Sequence, residues 1–261
     1  MYQGFYTLAS GMLTQSRNLN VISNNMVNVQ TAGYKNDTMV TSTFQEEMLY
    51  RTGRHSKGNP QELGITSKIA TASRTYVDYG QGSFDPTGGV YDFALSGNGF
   101  FCIRTLDGEE RYTRNGSFAV DSDNYLVLND VGRVLSADGQ YIRIDNEEFS
   151  VDEKGRITLE TMVNGQLVTR DYGTLKVVDF ADYDALHRED NGLYSTDQAQ
   201  IPVTQQNETA VIWQNLERSN VDMMEEMTAM MSSQRALQSA AQMLRMYDTV
   251  MGKSATDVGR L

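Results

Sequence analysis

The chain has 261 residues, enough for one large domain or two modest ones, and carries a formal net charge of -12. No stretch approaches the ~20 consecutive apolar residues that a membrane-spanning helix needs, and no basic stripe is present to follow nucleic-acid phosphates. The acid excess is local: residues 79–213 hold 23 acids against 10 bases, whereas residues 1–36 hold Arg17 and Lys35 and no acid. The middle of the chain is therefore a solvated, self-repelling surface, and the ends have the near-neutral character of packed ones.

The first predicted element is a helix. Phe5, Met12, Leu19 and Met26 recur every seven residues, and Leu8, Gln15, Ile22 and Val29 follow each by three, which makes an a/d seam with one polar break at Gln15. Gly4 and Gly11 cost helix propensity of about 1 kcal/mol each against alanine, so their expected use is to let another backbone approach. The opening residues show no basic segment followed by an apolar stretch, so no cleavable secretory signal is expected.

Residues 31–78 are rich in Thr, Ser and Asn and read as extended chain with a possible hairpin. From Tyr79 onward, turn signals recur about every ten residues, among them Gly97-Asn-Gly99, Asp107-Gly108, Asp138-Gly139, Lys154-Gly155 and Asn164-Gly165. Short alternating runs separate them, such as Tyr125–Leu128, Tyr141–Ile144 and Leu175–Val178. This is an all-β pattern of many short strands. The single cysteine, Cys102, sits in the apolar run Gly99–Ile103 and reads as a small buried hydrophobe in a strand.

The last predicted element is a helix from near Val221 to Met251, with Ser219-Asn220 as cap and Gly252 as stop. Met223, Met230, Leu237, Leu244 and Met251 form its seven-residue column, with Met227, Gln234 and Ala241 on the same face. Met224, Met231, Met243 and Met246 extend the apolar surface around most of the circumference. A helix apolar on several faces needs several partners. The N-terminal helix supplies one, and neighbouring copies are the simplest source of the rest.

The expected fold class is α+β, with the N- and C-terminal helices paired as a coiled-coil-like domain and an all-β domain inserted between them through an extended connecting region. The expected boundaries are 1–30 for the N-terminal helix, 31–78 for the connecting region, 79–213 for the outer β domain and 214–261 for the C-terminal helix.

Catalytic constellations are not evident. Ser96–Gly99 lacks a P-loop lysine and reads as a hairpin turn. The close pairs Glu147-Glu148 and Asp152-Glu153 read as solvent-facing charge, and His55 and His187 make no metal-ligand spacing. Asp121-Ser-Asp-Asn124 opens like a calcium loop but lacks its glycine and terminal glutamate. No catalytic residue, cofactor or metal site is assigned. An enzyme centred on the acidic β domain stands as the competing class, and it would keep activity after removal of both ends. A surface-lying membrane anchor fits less well, because the helices lack the Lys/Arg bias of such anchors.

The stretch Leu19-Asn-Val-Ile-Ser-Asn-Asn-Met-Val-Asn-Val-Gln-Thr-Ala-Gly-Tyr-Lys35 resembles the N-terminal signature of bacterial flagellar rod and hook proteins, matching at Asn24, Asn25, Asn28, Thr31, Gly33, Tyr34 and Lys35. Met26-Val27 and Gln30 depart mildly from it. Tyr79–Gly88, Tyr91–Phe101 with Tyr112–Phe118, and Leu216–Met227 with Gln234-Arg-Ala236 resemble three further motifs of the same family in the same order.

The resemblance implies a structural axial subunit that self-assembles into the tubular rod, transmits torque from motor to hook and encloses the export channel. It implies the distal-rod type, with a proximal-rod or hook-type subunit as the alternative. It further implies contact with like and neighbouring rod or hook subunits, delivery by the flagellar type III export apparatus, and location in the basal body. The assembly interface is then expected at Phe5, Leu8, Met12, Leu19, Ile22, Asn24, Asn25, Met26, Asn28, Gly33, Tyr34 and Lys35 from the first end. From the second end it takes Asn220, Val221, Met224, Met227, Met230, Met231, Leu237 and Leu244.

Overall fold

The computed structural model describes residues 2–51, 61–163, 166–203 and 209–258. The expected turn at Asn164-Gly165 and the histidine His55 lie outside the described residues. The fold is mixed α+β and divides into two compact units. One comprises Met1–Val27, Asp37–Val77 and Asp222–Leu261; the other comprises Asn28–Asn36 and Asp78–Val221.

The helical unit holds α1 (Tyr2–Val27, 26 residues) and α2 (Met223–Val258, 36 residues). The strands Asn36–Arg51 and Gln61–Asp78 pair with each other as a two-stranded sheet. The helices run antiparallel, because low-numbered residues of α1 meet high-numbered ones of α2: Gly4 lies against Tyr247, Asn18 bonds Ser233, and Asn25 bonds Glu226. Among the described residues, no helix is long and apolar enough to cross a membrane.

Two end signals of α2 differ from the sequence expectation. Asp222, not Ser219-Asn220, caps the helix: its Oδ1 accepts the N–H groups of Met224 and Glu225 at 2.8 and 3.4 Å. The helix also continues through Gly252 to Val258. A glycine ends a helix only where it turns left-handed, and Gly252 is not among the residues with positive φ. Beyond it, the hydroxyls of Ser254 and Thr256 donate to the carbonyls of Val250 and Gly252 within the helix.

The β unit is built from short antiparallel strands. Its largest sheet runs in the order His187–Arg188, Leu193–Ser195, Glu110–Thr113, Phe100–Thr105, Gly132–Val134, Leu126–Leu128, Phe118–Val120, with Val177–Asp179 also bonded to Phe100–Thr105. The first four residues of the strand Phe100–Thr105 are apolar without interruption because both faces are covered there. Phe101 and Ile103 enter a core with Phe93, Phe118, Leu126 and Ile142; Phe100 and Cys102 enter a second with Tyr112, Phe180 and Tyr194. Cys102 is fully buried, and burial pushes its thiol up to about 12.

The run Ser96–Gly99 turns the chain, but not as a hairpin. Phe93–Ser96 pairs with Ala210–Trp213, whereas Phe100–Thr105 belongs to the large sheet, so the positive φ angles of Gly97 and Gly99 carry the chain from one sheet to another. The run Tyr141–Ile144 forms only isolated bridges, to Leu135 and Tyr125, although Ile142 and Ile144 are buried as its alternation requires.

Candidate assembly interface

Within the helical unit, the defined polar contacts between α1 and α2 fall on a seven-residue column one position earlier than the apolar one. Gly4, Gly11, Asn18 and Asn25 repeat every seven residues. Three of them have defined partners on α2. A Cβ on Gly4 would lie 2.7 Å from the Tyr247 hydroxyl. Asn18 Nδ2 donates to Ser233 Oγ at 3.1 Å, and Asn25 Nδ2 donates to Glu226 Oε1 at 3.0 Å.

Leu8 and Gln15 are half-buried and Ile22 is buried, so the Leu8–Gln15–Ile22 column is shared with the sequence expectation. On α2 the buried seam residues are Glu226 and Ser233, three positions from Met223 and Met230, rather than Met227 and Gln234. Polar groups hold this line through side-chain hydrogen bonds, Gly4 makes room for the Tyr247 side chain, and Gly11 leaves open space. The bulky apolar column is displaced to the flanks.

Asn25 is 1% exposed and contacts both a strand and α2. Its Oδ1 accepts from the backbone N–H of Asp37 and its Nδ2 donates to the Asp37 carbonyl, so the amide pairs with the strand as another strand would. The second Nδ2 hydrogen serves Glu226. Desolvation raises the Glu226 carboxyl above its ordinary value, opposed by the Asn25 bond and reinforced by neighbouring Glu225.

Outward, the flanks remain apolar. Phe5 is 48% exposed, and Met12, Leu19 and Met26 are half-buried. On α2, Met224 is 73% and Met231 52% exposed, Met227 is exposed, and Met230, Leu237 and Leu244 are half-buried. Asn24 is exposed and Asn28 half-buried. Asn28 closes the turn after α1: its carbonyl accepts the Thr31 N–H at 3.1 Å and its Oδ1 the Thr31 hydroxyl at 3.2 Å.

The signature residues Gly33, Tyr34 and Lys35 lie in the β unit and are buried within this chain. Lys35 Nζ donates to Glu217 Oε1 at 2.6 Å and to the Gly80 carbonyl at 2.9 Å. Glu217 Oε1 also accepts the Gly82 N–H, and its Oε2 accepts from Arg114 Nη1 at 3.3 Å. All three ionic side chains are at most 4% exposed. Burial holds the Lys35 ammonium below the usual lysine range, while Glu217 pulls it back up.

Gly33 has φ +69°, donates its N–H to the Glu217 carbonyl, and would drive a Cβ to 2.4 Å from the Arg114 backbone. That explains why only glycine fits there. Tyr34 lies under the Arg188 guanidinium, 4.1 Å from its ring centroid. Asn220 completes the clasp: its Oδ1 accepts the Asn36 N–H, and its Nδ2 donates to the carbonyls of Asp78 and Gly80. Val221 is buried beside it in sequence.

The expected residues thus fall into three sets. Ile22, Asn25, Gly33, Tyr34, Lys35 and Val221 are buried in contacts within the chain. Leu8, Met12, Leu19, Met26, Asn28, Asn220, Met230, Leu237 and Leu244 are half-buried. Phe5, Asn24, Met224, Met227 and Met231 are exposed. Glu217, Arg114 and Arg188 were not singled out by sequence reasoning. Glu217 and Arg114 do stand inside two of the quoted motifs, which was the available signal.

Among the described residues, no group of three or more His, Cys, Asp or Glu side chains is placed to hold a metal ion. Asp121, the first residue of the calcium-like run, accepts the N–H groups of Tyr125 and Asp123 and pairs with Arg133 at 2.7 Å. Those backbone bonds, with Arg133, hold its carboxyl below the ordinary value.

Comparison with known families gives three consecutive matches. Residues 5–35 match the family described as flagella basal body rod protein, residues 94–159 the flagellar hook protein FlgE/F/G D1 domain, and residues 214–257 the flagellar basal body rod FlgEFG protein C-terminal. The flagellar basal-body rod protein FlgG of Bacillus subtilis is 31% identical, over 96% of this chain and 97% of its own. The flagellar hook-basal body complex protein FlhO of the same organism is 31% identical over the whole of both chains. The flagellar basal-body rod protein FlgF of Caulobacter vibrioides is 30% identical, over 94% of this chain and 93% of its own.

Proposed function

The chain belongs to the flagellar basal-body rod protein family, and we propose that its copies build the tubular rod by meeting along the exposed apolar flanks of α1 and α2. It is a structural axial subunit of the flagellum, located in the basal body. The observation that carries the tube-wall reading is the pair of helix flanks. Met224, Met227, Met231, Met243, Met246 and Val250 are exposed on α2, a helix whose narrow seam is already taken by α1. Exposed apolar rows of this length mark an association surface, and unbranched methionine adapts to slightly different neighbours. Contacts of this kind that do not close on themselves generate a helical array.

In this reading the rod carries torque and encloses an export channel, its subunits reach it through the flagellar export apparatus without a cleaved signal, and its work is mechanical rather than catalytic. The test is Met224→Asp with Met231→Asp. Both side chains face solvent in the single chain, so helix content and melting temperature should stay unchanged. Incorporation into purified basal bodies, and motility, should be lost. Normal motility of the double variant refutes the reading.

A second reading concerns position. The relatives named FlgG and FlgF match nearly equally, and neither name states a segment, so the distal and proximal positions both stand. Immunogold labelling of isolated basal bodies separates the two.

A further inference from the structure

We propose that the layers Asn25–Glu226 and Asn18–Ser233 are register determinants, which fix the turn of α2 that each turn of α1 faces and hold off one specific competing alignment. The inference goes beyond the assembly reading and does not depend on it.

The apolar seam cannot choose a register alone. In the observed alignment, heptad spacing carries Leu8, Gln15 and Ile22 past Leu244, Leu237 and Met230. Sliding α2 by one heptad, about 10 Å along the axis, replaces these partners with Met251, Leu244 and Leu237, which are equally apolar. The slip is sterically open as well. It brings Tyr247 opposite Gly11 instead of Gly4, and a Cβ on Gly11 would meet nothing within 4 Å.

The polar layers do choose. After the slip Asn18 faces Ala240, and Glu226 has no amide before it. Asn25 cannot follow α2, because its amide is bonded in both directions to the Asp37 backbone. Buried polar groups left without partners are strongly disfavoured, and a buried asparagine is an established way of fixing helix register at a cost in stability. The consequence for this molecule is geometric. Register decides how the Met224–Met231 row aligns with the Leu19–Met26 row, so a one-heptad slip would offset the two halves of the outer surface.

The test uses full-length chains with paired cysteines that leave the glycine and polar columns intact. Leu8→Cys/Leu244→Cys reports the observed register and Leu8→Cys/Met251→Cys the slipped one. Cys102 is buried and does not compete. After mild oxidation, quantified by peptide mass spectrometry, the first pair should cross-link at least about tenfold more than the second, the factor set by one unpaired buried polar group. Adding Asn18→Leu, Asn25→Leu, Glu226→Leu and Ser233→Leu should bring the two yields within about threefold of each other, since no unpaired polar group then separates the registers. Adding Glu226→Gln alone, which keeps the acceptor for Asn25, should preserve the preference. An unchanged ratio in the all-leucine background overturns the proposal. So does absence of either cross-link there, because the apolar column must then hold the helices unaided. Equal or absent cross-links in the parent chain overturn it too.

Discussion

Replacing Lys35 by methionine is the most direct probe of the clasp. The substitution keeps the length and apolar stem and removes the ammonium. Glu217, fully buried, is then left with the Gly82 N–H at 3.0 Å and a long contact to Arg114 at 3.3 Å. The Gly80 carbonyl keeps the Asn220 amide at 3.1 Å, so its loss is minor. Breaking a buried pair from one side costs about 3–5 kcal/mol, mostly from the charge left behind. Glu217→Gln should cost a similar amount, because it leaves Lys35 and Arg114 facing each other without an anion. The double variant Lys35→Met/Glu217→Gln removes the stranded pair, so its loss should fall short of the sum by about 1–3 kcal/mol.

Trp213 is the only tryptophan, lies in the same unit, donates its Nε1–H to the Val90 carbonyl and packs against Phe149, so its fluorescence reports this unit's unfolding. With a urea slope near 3 kcal/mol/M, each single variant should move the midpoint down by roughly 1–2 M. Additive losses, or a shift below roughly 0.3 M for Lys35→Met, would show that the pair is not the fastening described.

The remaining predictions follow from single contacts. Gly33→Ala should destabilise the same unit by more than about 2 kcal/mol, from left-handed strain plus collision with the Arg114 backbone, seen as a lower Trp213 midpoint. Glu226 has a carboxyl raised above its ordinary 4.5, so the helix pair gains stability as pH falls through its folded value and loses that gain as pH rises through it. Glu226→Gln should therefore melt higher than the parent at pH 7 and show a flatter pH profile by circular dichroism. Leu237→Asp, within the seam, should cost about 1–3 kcal/mol of helix-pair stability and leave the Trp213 transition unmoved. Met12→Asp, on the flank, should leave both transitions nearly unmoved, yet both variants should fail to enter the flagellum, as scored by motility and immunoblots of basal bodies.

Periodicity and turn chemistry in the sequence determined the element types: a helix at each end, many short strands between, and a buried apolar strand around Cys102. These are local properties, because side-chain spacing and backbone freedom act within a few residues. The expectation that Gly4 and Gly11 let another backbone approach does not hold: Gly4 meets the Tyr247 side chain, and a Cβ on Gly11 would meet nothing within 4 Å. The sequence could not rank two seven-residue columns lying one position apart. The bulkier Phe5–Met12–Leu19–Met26 column looked like the seam, yet Gly4, Asn18 and Asn25 make the contacts, since interhelical distance and partner identity are properties of the packed pair. Likewise, Asn220 looked like a helix cap, whereas in the fold Asp222 takes that place and Asn220 bonds Asn36, Asp78 and Gly80. Lys35 looked like part of a surface signature. Only the tertiary structure brings Glu217 and Arg114 to it across 182 and 79 residues of chain, and burial turns that meeting into a fastening, because a charge removed from water must find its opposite within the fold.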